Sequence, residues 1–487
     1  MSSSVRNLNP NALWNCFADL NAVPRASKKE EKVIRFMMDF GTSLGLETKK
    51  DPVGNVIISK PATSGMENKK TVVLQSHLDM VHQKNNDTLF DFDTQGIQMY
   101  VDGDWVKAEG TTLGADNGIG VATIMAILAS KDIPHPALEA LFTIDEETGM
   151  TGAMGLQAGW LTGEILLNLD TEEDDEIDIG CAGGLDVTAT KKYTPESVES
   201  QNLTALKISV KGLQGGHSGI EIHLGRGNAN KMLTRLLYGL EKSDVRLSEF
   251  EGGSLRNAIP RESMAIITFP SGKKEEVSQI LQQQKSDILK EYVSLEKNLS
   301  IDWEETSCPT FVMSVDQQIS TINALYAAHN GVFRMSPDIK DLVEASNNVA
   351  KVEIKNGTAK ILCLTRSSVE SSKKDVAQSL KATFESGGFD VVFSGDYPGW
   401  TPNVNSPILG VLTGIYENMF GQKAHVVACH AGLECGILGR NYPDMDMISY
   451  GPTIKGAHSP DERVKISSVE KFWAFTLEIL KNIPEKV

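Results

Sequence analysis

The chain has 487 residues, of which 40% are hydrophobic and 23% are charged, and its formal net charge is −17. At about 150 residues per domain, this length predicts two to four domains. Such an acidic surface repels phosphate groups, which argues against binding to nucleic acid or to an anionic membrane. No run approaches the roughly 18 apolar residues of a membrane helix, and no signal core is evident at the N-terminus, so we expect a cytoplasmic protein.

The first 185 residues alternate between helix and strand patterns. Short apolar runs predict strands at 71–76, 138–144 and 164–169, and helical periodicity predicts helices at 28–44 and 117–130. The second of these helices begins in glycine-rich sequence. This alternation predicts a mostly parallel sheet that is covered by helices.

The pattern changes after about residue 185. Strands are predicted at 203–213 and 359–364, and helices at 228–240, 273–299 and 373–385, without a clear parallel order. This arrangement is typical of a separate α+β domain. The α/β pattern returns near residue 397, with helices at 407–420 and 469–483 and a strand at 445–450.

Histidines and acidic residues cluster just beyond the predicted strands. Because ligands of an open α/β sheet bind outside the carboxyl ends of its strands, we expect these segments to meet at one rim. The residues are His77 and Asp79 after the first strand, Glu146 and Glu147 after the second, Asp170 after the third, His458 a short loop after the last, and Asp116 in a glycine-rich turn before a helix.

The residue types in this cluster suit a zinc site. Two imidazoles and three carboxylates supply nitrogen and oxygen ligands, whereas none of the six cysteines lies in a CxxC pair. Two metal ions about 3.5–4 Å apart need a bridging carboxylate, and a further carboxylate must accept the proton of the attacking water. The adjacent Glu146 and Glu147 can supply one base and one ligand. Singly, each residue also has an ordinary structural interpretation, such as a turn for Asp116; five coincident features favour the metal site.

Eight motifs resemble those of the aminoacyl-histidine dipeptidases, also called Xaa-His dipeptidases or peptidase D. That family belongs to the di-zinc superfamily of aminoacylases, carboxypeptidases and carnosinases. The resemblance extends over about residues 10–485. The motifs are SHLDM, GTTLGADNGIG, DEETG, NLDTEE, GLQGGHSG, SLRNAIPRE, HAGLECG and GPTIKGAHSPDE.

The resemblance implies a role for each residue of the metal cluster. His77 and Asp170 would bind one Zn²⁺, Glu147 and His458 would bind a second, and Asp116 would bridge the two ions. Glu146 would be the general base, and Asp79 would orient the His77 ring, as carboxylates beside metal-binding histidines commonly do. The resemblance also implies a cis Asp116–Asn117 peptide bond. Co²⁺ or Mn²⁺ suits the same ligands.

The resemblance also implies the fold class and the domain organisation. An α/β catalytic domain with a mostly parallel sheet would be built from residues 1–185 and 397–487, and residues 186–396 would form an inserted α+β lid. In that lid His217 would stabilise the oxyanion, and Asn257 and Arg366 would bind the substrate, with Arg366 facing its carboxylate. Glu434, in HAGLECG, would meet the free amino group. Relatives are often homodimers joined through the lid.

Two lid segments depart from the usual family pattern. Residues 344–350 read EASNNVA where relatives tend to have ETSLNVG, and residues 363–368 read CLTRSS where relatives tend to have CLIRSL. These departures leave open how strictly a C-terminal histidine is preferred. Six histidines receive no metal-binding role, although two of them, His223 and His430, lie beside recognised motifs; the six are His82, His135, His223, His329, His425 and His430.

The predicted function is zinc-dependent hydrolysis of dipeptides, with Xaa-His dipeptides such as carnosine as the expected substrates. Closure of the lid would exclude water from the site. Two alternatives remain: an aminoacylase or carboxypeptidase of the same fold that acts on N-acylated amino acids, and a zinc-binding protein without catalytic activity. Glu146 argues against the second, because a binding protein does not need a base.

Overall fold

The computed structural model describes residues 2–486. The chain divides into two compact units, of which the first comprises Met1–Cys181, Trp400–Ala428 and Leu433–Val487, and the second comprises Ala182–Gly399 and Cys429–Gly432. The two main divisions lie close to the predicted positions 185 and 396. The short segment Cys429–Gly432 belongs to the second unit because the Ala182 amide donates to the carbonyl oxygens of Cys429 and Ala431, at 3.0 and 2.9 Å.

Helices occur throughout both units. In chain order they are α1 (Ser2–Arg6), α2 (Asn11–Asn21), α3 (Glu31–Ser43), α4 (Ala115–Ala129), α5 (Glu146–Gly149), α6 (Thr151–Gly155), α7 (Ala229–Gly239), α8 (Lys274–Glu291), α9 (Val315–Ala327), α10 (Glu370–Ser386), α11 (Pro407–Phe420), α12 (Glu434–Asn441) and α13 (Ile466–Lys481). None of those in the described range is both long and apolar enough to cross a bilayer.

Strands form two large sheets and two small ones. In chain order they are β1 (Glu47–Lys50), β2 (Val56–Lys60), β3 (Val72–His77), β4 (Met99–Asp102), β5 (Trp105–Ala108), β6 (Leu138–Thr143), β7 (Ile165–Asn168), β8 (Glu176–Cys181), β9 (Gly183–Lys192), β10 (Glu196–Ser197), β11 (Leu203–Lys211), β12 (Arg246–Gly252), β13 (Ser263–Pro270), β14 (Ser300–Glu305), β15 (Phe311–Val312), β16 (Gly331–Met335), β17 (Val343–Lys355), β18 (Thr358–Ser367), β19 (Asp390–Tyr397), β20 (His425–Cys429), β21 (Asp446–Ser449), β22 (Ile454–Lys455) and β23 (Arg463–Lys465).

The first unit is built on an eight-stranded sheet of order β1-β2-β6-β3-β7-β21-β8-β20. Its four central strands, β6, β3, β7 and β21, are parallel, and the pairs β1–β2, β2–β6 and β21–β8 are antiparallel. The predicted fold class, an α/β unit on a mostly parallel sheet, is confirmed. Every residue of β3, β6 and β7 is buried, which explains why these strands are rich in apolar residues.

The parallel register places the carboxyl ends of the central strands side by side. His77, the last residue of β3, is paired with Thr143 at the end of β6, and Gln75 of β3 is paired with Asn168 at the end of β7. The loops that leave these strands therefore begin at one edge of the sheet, and they carry the predicted ligands.

The second unit is an antiparallel sheet packed against helices. Its strand order is β14-β11-β13-β12-β17-β18-β9-β19, with β16 added beside β17. Alternate residues of β9 and β11 are buried, and they join the apolar faces of α7, α9 and α10 in one core. The architecture agrees with the α+β pattern that the sequence predicts for this region.

The predicted helix 273–299 is wrong at its C-terminal end, because α8 stops at Glu291. The chain then turns so that the buried carboxylate of Glu296 accepts the amides of Gln214 and Gly227, both at 2.8 Å. These two loop amides need an acceptor inside the protein, and a continuing helix would carry Glu296 away from them.

Candidate metal centre and substrate-binding groups

Two sets of possible ligand atoms in the first unit share one carboxylate. Within each set, all ligand atoms lie within 4.8 Å of one another. The first set is His77, Asp116 and Asp170, and the second is Asp116, Glu147 and His458. The sets are the two predicted ligand groups, and Asp116 is the member that they have in common.

The carboxylate of Asp116 presents one oxygen to each set. Its Oδ1 lies 3.2 Å from Nε2 of His77, and its Oδ2 lies 3.2 Å from Nε2 of His458. Nε2 of His77 is also 3.4 Å from Asp170, and Nε2 of His458 is 2.9 Å from Glu147. A carboxylate with one oxygen toward each imidazole has the geometry of a bridging ligand, and the nitrogen and oxygen donors suit Zn²⁺.

The backbone around Asp116 is irregular, which turns its side chain away from the helical path. Asp116 and Asn117 have non-helical dihedral angles inside α4, and the peptide bond between them is cis, as expected. The Asn117 side chain donates to Asp170. The glycine-rich start of α4 therefore carries one predicted ligand, Asp116, and contacts a second, Asp170, through Asn117.

The charged side chains of this cluster shift one another's pKa values. Hydrogen bonds to Asp116 and Glu147 raise the pKa of His458 to about 11. Burial lowers the pKa of His77, but Asp170, Asp116 and Asp79 offset this and leave it well above its ordinary value. Because a histidine must be deprotonated to bind a metal ion, metal binding here would release protons.

Asp79 contacts the His77 ring and the segment that carries the two glutamates. Its Oδ1 lies 3.4 Å from Nδ1 of His77, and its carboxylate accepts the amides of Glu146 and Glu147 at 3.0 and 3.3 Å. Asp79 is fully buried. It contacts the ring of one predicted ligand and the backbone of the loop that carries Glu146 and Glu147.

Glu146 lies beside the first ligand set, within 4.8 Å of His77 and Glu147 by its nearest carboxylate oxygen. Burial raises the pKa of Glu146 well above its ordinary value, and the charges of Asp170, Glu147 and Glu434 raise it further against the effect of His77. A carboxyl group with a raised pKa is suited to accept a proton near neutral pH and to return it.

Two buried residues that the sequence analysis missed hold the loop of Asp116. The Glu462 carboxylate accepts the backbone amides of residues 113–116, at 2.7, 2.9, 2.7 and 3.2 Å. Arg25 donates to the carbonyl of Gly114 at 2.5 Å and to the carbonyls of Leu78 and Asp79, both at 3.1 Å. Glu462 ends the recognised motif GAHSPDE, which was a usable signal. Arg25 gave none, because the loop atoms that it holds are backbone atoms distant in the chain.

We expect Glu462→Gln to weaken zinc binding by about 10- to 100-fold, the usual effect of losing a group that orients a ligand. The amide that replaces the carboxylate has one acceptor oxygen, so it cannot receive all four backbone N–H groups. Zinc titration of the metal-free protein against a competing chelator measures the change. Replacing Glu478, a partly exposed glutamate of α13, by glutamine is the control. Equal affinity in both variants would contradict this role.

Glu434, at the start of α12, lies in the first unit and is fully buried. Its Oε2 accepts hydrogen bonds from Gln75 and Thr143, both at 2.6 Å, whereas its Oε1 has no hydrogen-bond partner. Burial raises the pKa of Glu434 to about 7, against the lowering effect of His77 and of the Thr143 hydrogen bond. The unpartnered oxygen is suited to a donor such as an ammonium group.

His217, Asn257 and Arg366 belong to the second unit. Nδ1 of His217 accepts the amides of Gly219 and Ile220 at 3.2 and 3.1 Å. A neutral imidazole held in this way carries its proton on Nε2, which makes that nitrogen a donor. Asn257 is exposed, and its carbonyl accepts the Ser218 amide at 2.8 Å.

Arg366 and His430 are buried close to His217. A Cβ atom built on Gly219 would lie 3.1 Å from the His217 ring, 3.2 Å from Cδ of Arg366 and 2.2 Å from the carbonyl oxygen of His430, so only glycine fits between them. Arg366 donates to the Tyr397 hydroxyl at 2.9 Å, and its Nε has no partner. The sequence assigned no role to His430, whose Nε2 lies 2.8 Å from the Ser346 hydroxyl.

Burial, with the charges of Arg366, His217 and His223, lowers the pKa of His430 from 6.5 to about 3. Below pH 6.5 the unfolded chain binds a proton at this position and the folded chain does not. The free energy of unfolding should therefore fall by about 1.4 kcal/mol per pH unit below pH 6.5 from this residue alone. Urea unfolding between neutral and mildly acidic pH measures the slope. His430→Gln should reduce it, whereas replacing exposed His425 should not.

Comparison with known proteins identifies relatives over the whole chain. Residues 73–482 match the model of peptidase family M20/M25/M40. The cytosol non-specific dipeptidase of Escherichia coli (strain K12) is 44% identical over 485 residues, which cover 99% of this chain and 100% of that protein.

Solved structures share the fold. The crystal structure of aminoacylhistidine dipeptidase from Vibrio alginolyticus has a TM-score of 0.92 and 45% identity and covers 99% of both chains. The aminopeptidase PepT from Bacillus cereus has a TM-score of 0.57 and 16% identity, covers 98% of this chain and 99% of that chain, and shows a likeness of fold alone.

Proposed function

The chain belongs to peptidase family M20/M25/M40, and from that premise we propose that it is a dinuclear zinc dipeptidase. The observation that carries the proposal is the position of Asp116. One oxygen of its carboxylate faces His77 and the other faces His458, each at 3.2 Å, within two sets of nitrogen and oxygen donors. Co²⁺ or Mn²⁺ suits the same donors.

The metal ions, when bound, would polarise the scissile carbonyl and lower the pKa of the attacking water. His77 and Asp170 would hold one ion, Glu147 and His458 the other, and Asp116 both. Glu146 would take a proton from the water on its carboxylate and return it to the leaving amine. The raised pKa of Glu146 supports this assignment, because the group must both accept and release a proton.

The two ends of a dipeptide would be bound by residues of opposite charge. Glu434 supports recognition of the free amino group, because one of its buried oxygens lacks a hydrogen-bond partner. Arg366, with a buried Nε that also lacks a partner, would bind the carboxylate, and Asn257 would add a polar contact.

His217 would stabilise the oxyanion through a hydrogen bond from its ring. The two amides that point at its Nδ1 support this role, because they leave the proton on Nε2 for donation. Replacing one such donor in other enzymes lowers kcat by about 10²- to 10³-fold. The second unit would act as a lid that excludes water during the reaction.

The proposal is tested by hydrolysis of alanyl-histidine, carnosine and alanyl-alanine by metal-free and zinc-reloaded protein. Zinc-restored cleavage of the first two alone would support a preference for C-terminal histidine, as the name of the Vibrio relative states for that protein. Cleavage of all three would support the broader activity in the name of the E. coli relative. If protein that holds two zinc ions cleaves none of the three dipeptides, the proposed dipeptidase function would be contradicted.

The requirement for a free amino group on the substrate distinguishes a dipeptidase from an aminoacylase or carboxypeptidase of the same fold. We expect N-acetyl-alanyl-histidine to be cleaved far more slowly than alanyl-histidine, because acetylation removes the charge that Glu434 would bind. A preference for the acetylated compound would instead indicate an aminoacylase or carboxypeptidase. We further propose a cytosolic homodimer joined through the second unit; light scattering of the purified protein tests the dimer.

A further inference from the structure

A chain of buried polar side chains crosses four strands of the first unit, β3, β7, β21 and β8, and ends at Glu434. We call it the relay. Every member is at most 6% exposed, so its hydrogen bonds are not shared with bulk water. Its contacts are Glu434 Oε2 with Gln75 Nε2 (2.6 Å), Gln75 Oε1 with Asn168 Nδ2 (2.5 Å), Asn168 Oδ1 with Ser449 Oγ (2.5 Å), Ser449 Oγ with Thr171 Oγ1 (2.8 Å) and Thr171 Oγ1 with Asp178 Oδ2 (2.8 Å).

The direction of the hydrogen bonds is fixed at the Glu434 end when Glu434 is ionised, the form that would bind an ammonium group. An ionised carboxylate can only accept, so Gln75 must then turn its amide nitrogen toward Glu434. The oxygen of Gln75 then accepts from Asn168, and the oxygen of Asn168 accepts from the Ser449 hydroxyl. The donor and the acceptor of each of these hydrogen bonds are therefore determined.

Counting the available protons also determines the hydrogen-bond directions at the other end of the relay. The only hydroxyl proton of Ser449 is given to Asn168, so the proton between Ser449 and Thr171 must come from Thr171. Thr171 then has no proton for Asp178, and the Thr171–Asp178 contact needs a proton on Asp178. If Asp178 were ionised, two hydroxyl oxygens would face each other at 2.8 Å with no proton between them.

We propose that the relay positions Glu434 for the substrate's ammonium group, with Asp178 as its proton-bearing end. While Asp178 holds its proton, every group in the relay points its donor toward Glu434. The free Oε1 of Glu434 then remains an acceptor. Gln75, Asn168, Ser449, Thr171 and Asp178 are positioning residues, since none of them needs to touch the substrate.

The surroundings of Asp178 favour the protonated form. Burial, with the charges of Glu176 and Asp170, raises the pKa of Asp178 to about 7. A hydrogen bond donated by Thr171 would lower this pKa, but in the relay Thr171 donates its proton to Ser449. Two buried cysteines, Cys181 and Cys435, also lie near Asp178, and neither carries a positive charge. No cation is among the groups that shift this pKa.

The first test is Ser449→Ala, which removes the donor to Asn168 in the middle of the relay. We expect KM for alanyl-histidine to rise about tenfold with little change in kcat, since one charge-assisted hydrogen bond weakens. Propionyl-histidine, which lacks only the amino group, is assayed in parallel as substrate or competitive inhibitor, and its KM or inhibition constant should not change. An equal rise in the constants of both compounds would overturn the proposal.

A matched control separates this effect from the loss of any buried hydroxyl. Ser468 is also buried in the first unit, and its hydroxyl donates to the Lys465 carbonyl at 2.7 Å, outside the relay. Ser468→Ala should leave the ratio of the constants for alanyl-histidine and propionyl-histidine at the wild-type value. A change in this ratio equal to that of Ser449→Ala would overturn the relay.

The second test uses Asp178 itself. Asp178→Asn keeps a donor to Thr171 and should retain the wild-type KM, whereas Asp178→Ala removes the donor and should raise KM about as much as Ser449→Ala. The infrared difference between wild type and Asp178→Asn below neutral pH should contain the band of a protonated carboxyl group. Absence of this band, or equal effects of the two replacements, would overturn the assignment of the proton.

The role of Glu434 in binding the substrate's ammonium group rests on the proposed dipeptidase function, but the relay and that function can be refuted separately. If the wild-type protein cleaves no dipeptide, the proposed function fails, while the infrared band still tests the proton on Asp178. If dipeptides are cleaved and the Ser449 and Asp178 variants behave as wild type, the relay fails and the proposed function stands.

Discussion

Glu146→Gln is expected to lower kcat by about 10²- to 10⁴-fold, the range that general-base catalysis contributes. Glutamine has nearly the same shape but cannot hold the proton that the attacking water loses. The ligand sets that share Asp116 do not include Glu146. The zinc content of the variant should therefore equal that of the wild type, as measured by elemental analysis beside turnover of alanyl-histidine.

A conservative replacement at a nearby acid controls for the loss of charge. Asp145 precedes Glu146, and its carboxylate is occupied by the hydroxyls of Thr148 and Thr151. Asp145→Asn should lower kcat much less than Glu146→Gln. Wild-type turnover in Glu146→Gln would refute its role as the base, and loss of zinc would instead make Glu146 a ligand.

Asp116→Asn is expected to abolish the paired metal site. An amide offers one neutral oxygen, so it cannot give one anionic oxygen to the His77 set and another to the His458 set. We expect zinc stoichiometry to fall from two ions to one or none, with loss of turnover. A ligand present at 1,000 times its Kd stabilises a protein by about 4 kcal/mol, so the zinc-dependent rise in Tm should shrink as well.

Asp102→Asn is the control for this experiment, because Asp102 is an exposed aspartate paired with Lys107 at the surface. Its zinc content, turnover and zinc-dependent Tm should match the wild type. If Asp116→Asn also retained two zinc ions per chain, the bridging role would be refuted and the two sites would be independent.

Several features of the fold followed from short sequence patterns. The first half of β3, residues 72–74, is apolar because both faces of the strand are buried, and the predicted strand 71–76 matches Val72–His77 with a shift of one residue. The helix predicted at 117–130 corresponds to Ala115–Ala129. These elements could be predicted because burial in or against a parallel sheet imposes a pattern on the local sequence. The pattern can be recognised without knowing which segments pack beside the element.

Other elements depend on partners that are distant in the chain. Strand β17 is buried along most of its length, yet its sequence contains Ser346, Asn347 and Asn348. The side chain of Asn348 donates to the carbonyl oxygens of Arg256 and Ala258, and that of Asn347 donates to the carbonyl of His329. Polar residues whose hydrogen bonds are satisfied by remote backbone do not produce an apolar run, so pattern alone missed this strand.

The sequence by itself determined which carboxylates and imidazoles lie together, because those that follow buried parallel strands converge at one edge of the sheet. Only the tertiary structure decided how they are held. It shows which oxygen of Asp116 faces each histidine, that Glu462 accepts four amides of residues 113–116, and that Asp178 is linked to Glu434 across the sheet. These contacts join residues far apart in the chain, and hydrogen-bond direction and burial leave no local mark on the sequence.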